Sequence, residues 1–199
     1  MTKDKKNNQR YIYVLLSRTN TVVATLVRFF TQAPYSHTSI SLDPELEHLY
    51  SFARRKINNP LTAGFIHEDI EKGVFGSDDS ITCKVYRVPV TEEQYKRIKA
   101  EIAKFNERPS YYGYNFLGLF AGILRLNIKD ERRFTCCAFV DHVLVAGGIH
   151  LFDNENKLIK PYDFHNELYQ HEMYEGRLCE YRNFLERHSL SENGYAEAI

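Results

Sequence analysis

The chain has 199 residues, 43% hydrophobic and 26% charged, with 26 Lys and Arg balanced by 26 Asp and Glu. That length and hydrophobic share suit one domain with a substantial core and exclude wholesale disorder. A formal net charge of zero removes any global electrostatic basis for nucleic-acid binding, so no nucleic-acid partner is expected.

Residues 1–10 are polar and charged and read as a disordered lead rather than a secretory leader. Tyr11-Ile-Tyr-Val-Leu-Leu-Ser17 is a β-rich apolar run that predicts a buried strand. Val22, Val23, Leu26, Phe29 and Phe30 space as a helix over residues 21–32. His37–Leu42 alternates like a strand, Asp43-Pro44-Glu45 signals a turn, and His48–Ala53 returns, which together predict a hairpin. Residues 54–79 read as a long loop with one short strand near Phe65 and Ile66. Ile81–Val88 alternates again, and Pro89 is expected to end it.

Thr91 followed by Gln94 forms a capping-box pattern, and Tyr95, Ile98, Ile102 and Phe105 lie along one helical face, with Pro109 as the breaker. Tyr114–Leu124 predicts a short helix, and residues 125–133 a charged loop. Residues 109–124 are the longest uncharged stretch, but Ser110, the tyrosines, Asn115 and three glycines make it too short and polar for a span of about 20 apolar residues. Thr135–Ala146 predicts a strong helix stopped by Gly147-Gly148. The remainder reads as loops with one strand near Leu178–Arg182. The domain expected is residues 11–190, followed by a tail, 191–199. With no leader or span, the setting expected is the cytoplasm, or the inner face of a membrane as a peripheral contact.

Four cysteines, Cys83, Cys136, Cys137 and Cys179, show no Cys-x-x-Cys spacing and read as free thiols. Thr135 as N-cap would place Cys136 at the first helical position. Unpaired N–H groups and the positive end of the helix dipole favour a thiolate there, where thiol pKa values fall from about 8.5 to ~3.5–7.5. The same N–H groups suit an oxyanion. Cys137 points about 100° away, so one of the two at most faces a given site. A cysteine nucleophile needs a base. Among eight histidines, His37 stands out because it opens an alternating strand and small polar residues follow it. His142, six residues after Cys136, lies on another helical face.

Taken together, Tyr35-Ser36-His37-Thr-Ser-Ile, Leu49-Tyr-Ser-Phe-Ala53, Tyr114-Asn-Phe-Leu-Gly118 and Phe134-Thr-Cys-Cys-Ala-Phe-Val140 resemble the circularly permuted, NlpC-like branch of papain-fold cysteine hydrolases, which includes relatives of lecithin retinol acyltransferase. In that branch the histidine strand precedes the cysteine helix, as His37 precedes Cys136 here. The resemblance implies an α+β fold: an antiparallel papain-like sheet with the nucleophile-bearing helix packed on it. It implies Cys136 as nucleophile and His37 as general base, and it places Cys137 where the family has serine or another small or polar residue. Tyr114, which opens a Tyr-Asn-x-x-Gly stretch, would lend a hydroxyl near the oxyanion, with Tyr112 as a rival. A third polar residue should orient the imidazole. A hairpin turning on residues 43–45 would pair His37 with Ser51 across the strands. Ser51 is therefore the expected orienter, while a different register leaves Glu47 or His48.

The activity these residues imply is a thiol hydrolase or acyl transferase acting on an amide, ester or thioester, with no metal or organic cofactor. Zinc is the competing chemistry, but no ligand pair has zinc-finger spacing. The alternative reading, suggested by serine in the orienting position, is a catalytically weak binding or regulatory module. The substrate is a small peptide or an acyl, lipid-like molecule. The apolar, aromatic segment Tyr111–Leu124 would line a groove for the latter.

Overall fold

The computed structural model describes residues 9–19, 34–56, 59–115, 132–152 and 158–188. The expected helix over 21–32, most of the segment after Tyr114, and the tail lie outside them.

Strand β1 (Arg10–Arg18) is a near-continuous apolar run because both its faces are covered. Ile12, Val14 and Leu16 face one core; Tyr13 and Leu15 face another. β2 (His37–Ser41) and β3 (Leu49–Lys56) follow, then β4 (Asn59–Glu68), the four-residue helix α1 (Gly73–Gly76), and β5 (Thr82–Val90). Helix α2 (Glu92–Glu107) carries the expected capping box, with both reciprocal bonds between Thr91 and Gln94 made. Two short strands, β6 (Gly113–Tyr114) and β7 (Arg133–Phe134), lead to helix α3 (Cys136–Ala146). Helix α4 (Pro161–Leu168), strand β8 (Glu172–Arg177) and helix α5 (Tyr181–Arg187) complete the described elements.

The fold is mixed α+β, built on an eight-stranded sheet in the order β7-β6-β4-β3-β2-β1-β5-β8. Its pairs are antiparallel except β6 with β7. α2 and α3 pack on one face. There Phe139, fully buried, sits between Phe52, Phe65 and Phe105 at ring separations of 5.3, 5.5 and 5.1 Å. The two helices approach so closely at Gly147 that an added Cβ would lie 2.5 Å from Ile98 Cγ1. Gly148, at φ +81, then turns the chain out of the helix, with Ile149 N–H donating to Leu144 O at 2.9 Å. The opposite face is covered by Phe75, Leu178, Tyr181 and Leu185.

Several sequence expectations need correction. β4 is a ten-residue strand rather than a short one inside a loop. Its alternation is obscured by polar residues, yet it runs the length of β3. Pro89 does not end β5, which continues to Val90. β8 accompanies β5 only as far as Tyr86, so that end has an open side and tolerates a missing N–H. The tail strand is Glu172–Arg177, and residues 178–182 instead form a 3-10 turn and the start of α5. Pro161 at the first helical position starts α4, where loops were expected. Tyr114 lies in β6, not at the head of a helix.

The hairpin register also differs, and Asp43 is the cause. Its carboxylate accepts from the Glu47 and His48 N–H groups, both at 2.8 Å, and from His48 Nδ1 at 2.8 Å. This draws residues 42–48 into one wide loop. Leu46 takes φ +59 within the loop and is buried. Ile40 consequently pairs with Tyr50 and Ser41 with Leu49, so His37 does not lie opposite Ser51.

Candidate active site

Helix α3 begins where the sequence places it. Thr135 Oγ1 accepts from Ala138 N–H at 3.2 Å, and Cys136 is the first helical residue. The helix is fixed by burial of Phe139, Val140, Val143 and Leu144. Cys136 and Cys137 are both buried, their sulfurs 4.0 Å apart.

His37 opens β2. Its Nε2 lies 2.8 Å from Glu68 Oε1, and the other Glu68 oxygen accepts from the Ser39 hydroxyl. The two side chains are 11% and 8% exposed, so the pair is held largely out of water. With Nε2 engaged by Glu68, Nδ1 is the ring nitrogen left over, and His37 and Cys136 influence each other's proton affinity. Phe75, its ring centroid 6.2 Å from the imidazole, packs beside it.

Burial alone would lower the imidazole's proton affinity. The Glu68 carboxylate and the hydrogen bond to Cys136 outweigh it, and His37 is pushed up to about 10. Cys136 moves the other way. The hydrogen bond from Cys137 is the largest influence and burial opposes it. The bond and charge of His37 and the Thr38 backbone N–H then hold this thiol well below its usual range. The two shifts run in the directions that favour a proton on the ring over one on the Cys136 thiol. Cys137 and Tyr114 are pushed well above their usual values, first by burial and then by the neighbouring Cys136 charge, so both keep their protons and remain donors.

Tyr114 and Tyr112 are separated by structure. β6 runs parallel to β7, setting Tyr114 beside Phe134, and Asn115 N–H donates to Phe134 O at 3.0 Å. β7 leads through Thr135 into α3, and the charges of Cys136 and Cys137 act on Tyr114. Tyr112 packs instead on Phe105, ring centroids 4.3 Å apart.

Ser51 is buried, but its hydroxyl donates to Thr38 O at 2.7 Å and is spent on backbone. Glu47 gives its N–H to Asp43, and His48 is bound to the same aspartate. The carboxylate on the imidazole is Glu68, which the sequence reading missed. Its one signal was the short strand expected near Phe65 and Ile66, which extended by two residues ends on this acid. The remaining well-placed histidines face other groups: His67 contacts Glu47 O, His142 contacts Glu101, and His165 contacts the Tyr86 hydroxyl. All four cysteines are free; Cys83 is buried on the opposite face and Cys179 is exposed.

Among the described residues, no group of three or more His, Cys, Asp and Glu side chains could hold a metal ion, and no helix is long and apolar enough to cross a membrane. The chain matches no protein-family model and no curated protein.

Proposed function

We propose that this protein is a thiol hydrolase or acyl transferase of the circularly permuted papain type, with Cys136 as nucleophile, His37 as proton carrier and Glu68 orienting the ring. The observation that carries this reading is the buried His37–Glu68 pair, 2.8 Å apart, on a histidine that acts electrostatically on a cysteine at a helix N-terminus. The permuted chain order supports it as well, since the histidine and its acid both precede the cysteine helix.

In the proposed reaction the Cys136 thiolate attacks the carbonyl carbon of an amide, ester or thioester, and the carbonyl π electrons move to oxygen. The N–H groups at the tip of α3 and the protonated Tyr114 hydroxyl hold that oxyanion. The tetrahedral intermediate collapses with loss of the amine, alcohol or thiol, which takes the proton from His37 Nδ1. The neutral ring then removes a proton from water, or from an acceptor alcohol or amine, as it attacks the thioester. Collapse expels the Cys136 thiolate and regenerates the ion pair. Glu68 keeps the ring oriented throughout and stabilises its positive charge. A carboxylate in this position supports the enzyme reading over that of a binding module, which was suggested by serine there.

Two measurements test the proposal. Limiting iodoacetamide at neutral pH, followed by peptide mapping, should place the label on Cys136, and Cys136→Ala should abolish it. Turnover of p-nitrophenyl esters of increasing chain length, set beside a dipeptide amide, should show activity that Cys136→Ala removes and should rank acyl against peptide substrates. Equal hydrolysis by wild type and Cys136→Ala would overturn the proposal.

A further inference from the structure

Cys137 has no part in the reaction just described, yet it occupies a built position. It is 2% exposed, it lies 4.0 Å from the Cys136 sulfur, and its own sulfur is 3.4 Å from the Thr38 hydroxyl oxygen. Thr38 is fully buried and stands next to His37 on β2. Strand and helix thus supply a row of three groups, Thr38 Oγ1, Cys137 Sγ and Cys136 Sγ, ending on the proposed nucleophile.

We propose that Thr38 and Cys137 form a donor relay that tunes Cys136. The Thr38 hydroxyl donates to the Cys137 sulfur, and the Cys137 S–H donates to the Cys136 thiolate. Cys137 is thereby a positioning residue and not a second nucleophile.

The direction of the relay follows from the chemistry of the three groups. A thiolate only accepts, so the Cys137 proton points to Cys136, and the Cys137 sulfur is left to accept from the threonine. A hydrogen bond to a charged acceptor is stronger than a neutral one, and the Thr38 bond polarises the thiol that makes it. The groups facing the two sulfurs agree with this. Cys136 lies against Cys137 and is acted on by His37 and the Thr38 N–H from β2 and by Tyr114 from β6. Cys137 lies against Cys136 and the Thr38 hydroxyl and is acted on by Tyr114 and by the charge of Asp163 on α4. That negative charge, like burial, keeps the Cys137 proton in place. Serine could fill the same position, but a sulfur reaches farther across the gap to a second sulfur.

This inference rests on Cys136 being the reactive thiol, and the test separates the two. The rate of iodoacetamide alkylation, mapped to each cysteine by peptide mass, is followed against pH for wild type, Cys137→Ala, Cys137→Ser and Thr38→Val. The relay predicts a higher midpoint for Cys136 alkylation in Cys137→Ala, lowering its rate on the acid side by on the order of tenfold. Cys137→Ser keeps a donor and should shift less. Thr38→Val keeps the shape and loses only the hydroxyl, and should raise the midpoint less, lowering the acid-side rate by about threefold. Far-UV circular dichroism checks that each variant is folded, and the threonine variant serves if the cysteine variants are not. Midpoints unchanged in the folded variants overturn the relay, as does preferential alkylation of Cys137 in wild type. Absence of fast alkylation at Cys136 in wild type instead removes the reading on which the relay stands.

Discussion

Two histidine–glutamate pairs flank helix α3, and they are chemically the same. At its N-terminal tip, His37 Nε2 lies 2.8 Å from Glu68. On its flank, His142 Nε2 lies 3.0 Å from Glu101. The difference is water: the first pair is 11% and 8% exposed, the second 43% and 14%. In the first pair a charge has no solvent to turn to, so the Glu68 carboxylate acts at full strength and raises the proton affinity of the ring. In the second, solvent screens the attraction, and Lys104 also competes for Glu101. A hydrogen bond of nearly equal length is therefore a buried contact in one pair and a surface contact in the other.

The strongest way to break this contrast is His37→Ala. It leaves Glu68 buried without its cation, a loss of about 3–5 kcal/mol by analogy with broken buried pairs, readable by urea unfolding. It should also return Cys136 to an ordinary thiol, lowering its alkylation rate at neutral pH by roughly a hundredfold.

Glu68→Gln is milder, because an amide still fits and still bonds. The value of about 10 for His37 should fall toward the ordinary imidazole range near ~6.5, and the alkaline limb of any pH–rate profile should fall with it. The stability consequence has a definite sign. His37 binds its proton more tightly folded than unfolded, so its contribution is fully present below about pH 6.5 and is lost as pH rises through about 10. Unfolding of wild type minus Glu68→Gln should therefore show the larger difference at mildly acid pH and a shrinking one on the alkaline side.

Glu101→Gln is the control on the exposed side. It should cost no more than about 1 kcal/mol and leave Cys136 alkylation unchanged. A large effect on alkylation would mean that the two pairs are coupled through the helix and that burial is not what distinguishes them.

The tip of α3 was legible in the sequence because every signal there is local: Thr135 as cap, the apolar spacing of Phe139, Val140, Val143 and Leu144, and the double glycine stop. The capping box of α2 was legible for the same reason. What could not be read depends on contacts between distant segments. Asp43 widens the hairpin loop by capturing two backbone N–H groups, and no propensity reveals that capture. The shifted register takes Ser51 off His37, and the acid that replaces it comes from a strand whose polar composition resembles a loop. The sequence favours Tyr114 over Tyr112 only through its Tyr-Asn-x-x-Gly stretch, and the structure separates them by the parallel pairing of β6 with β7.

The account depends most on where one proton resides at neutral pH. Histidine ring NMR, with His37 assigned through His37→Gln, reads it directly. The prediction is an imidazolium through neutral pH that gives up its proton near about 10. A His37 ring found neutral at pH 7, with Cys136 as an uncharged thiol, would contradict it.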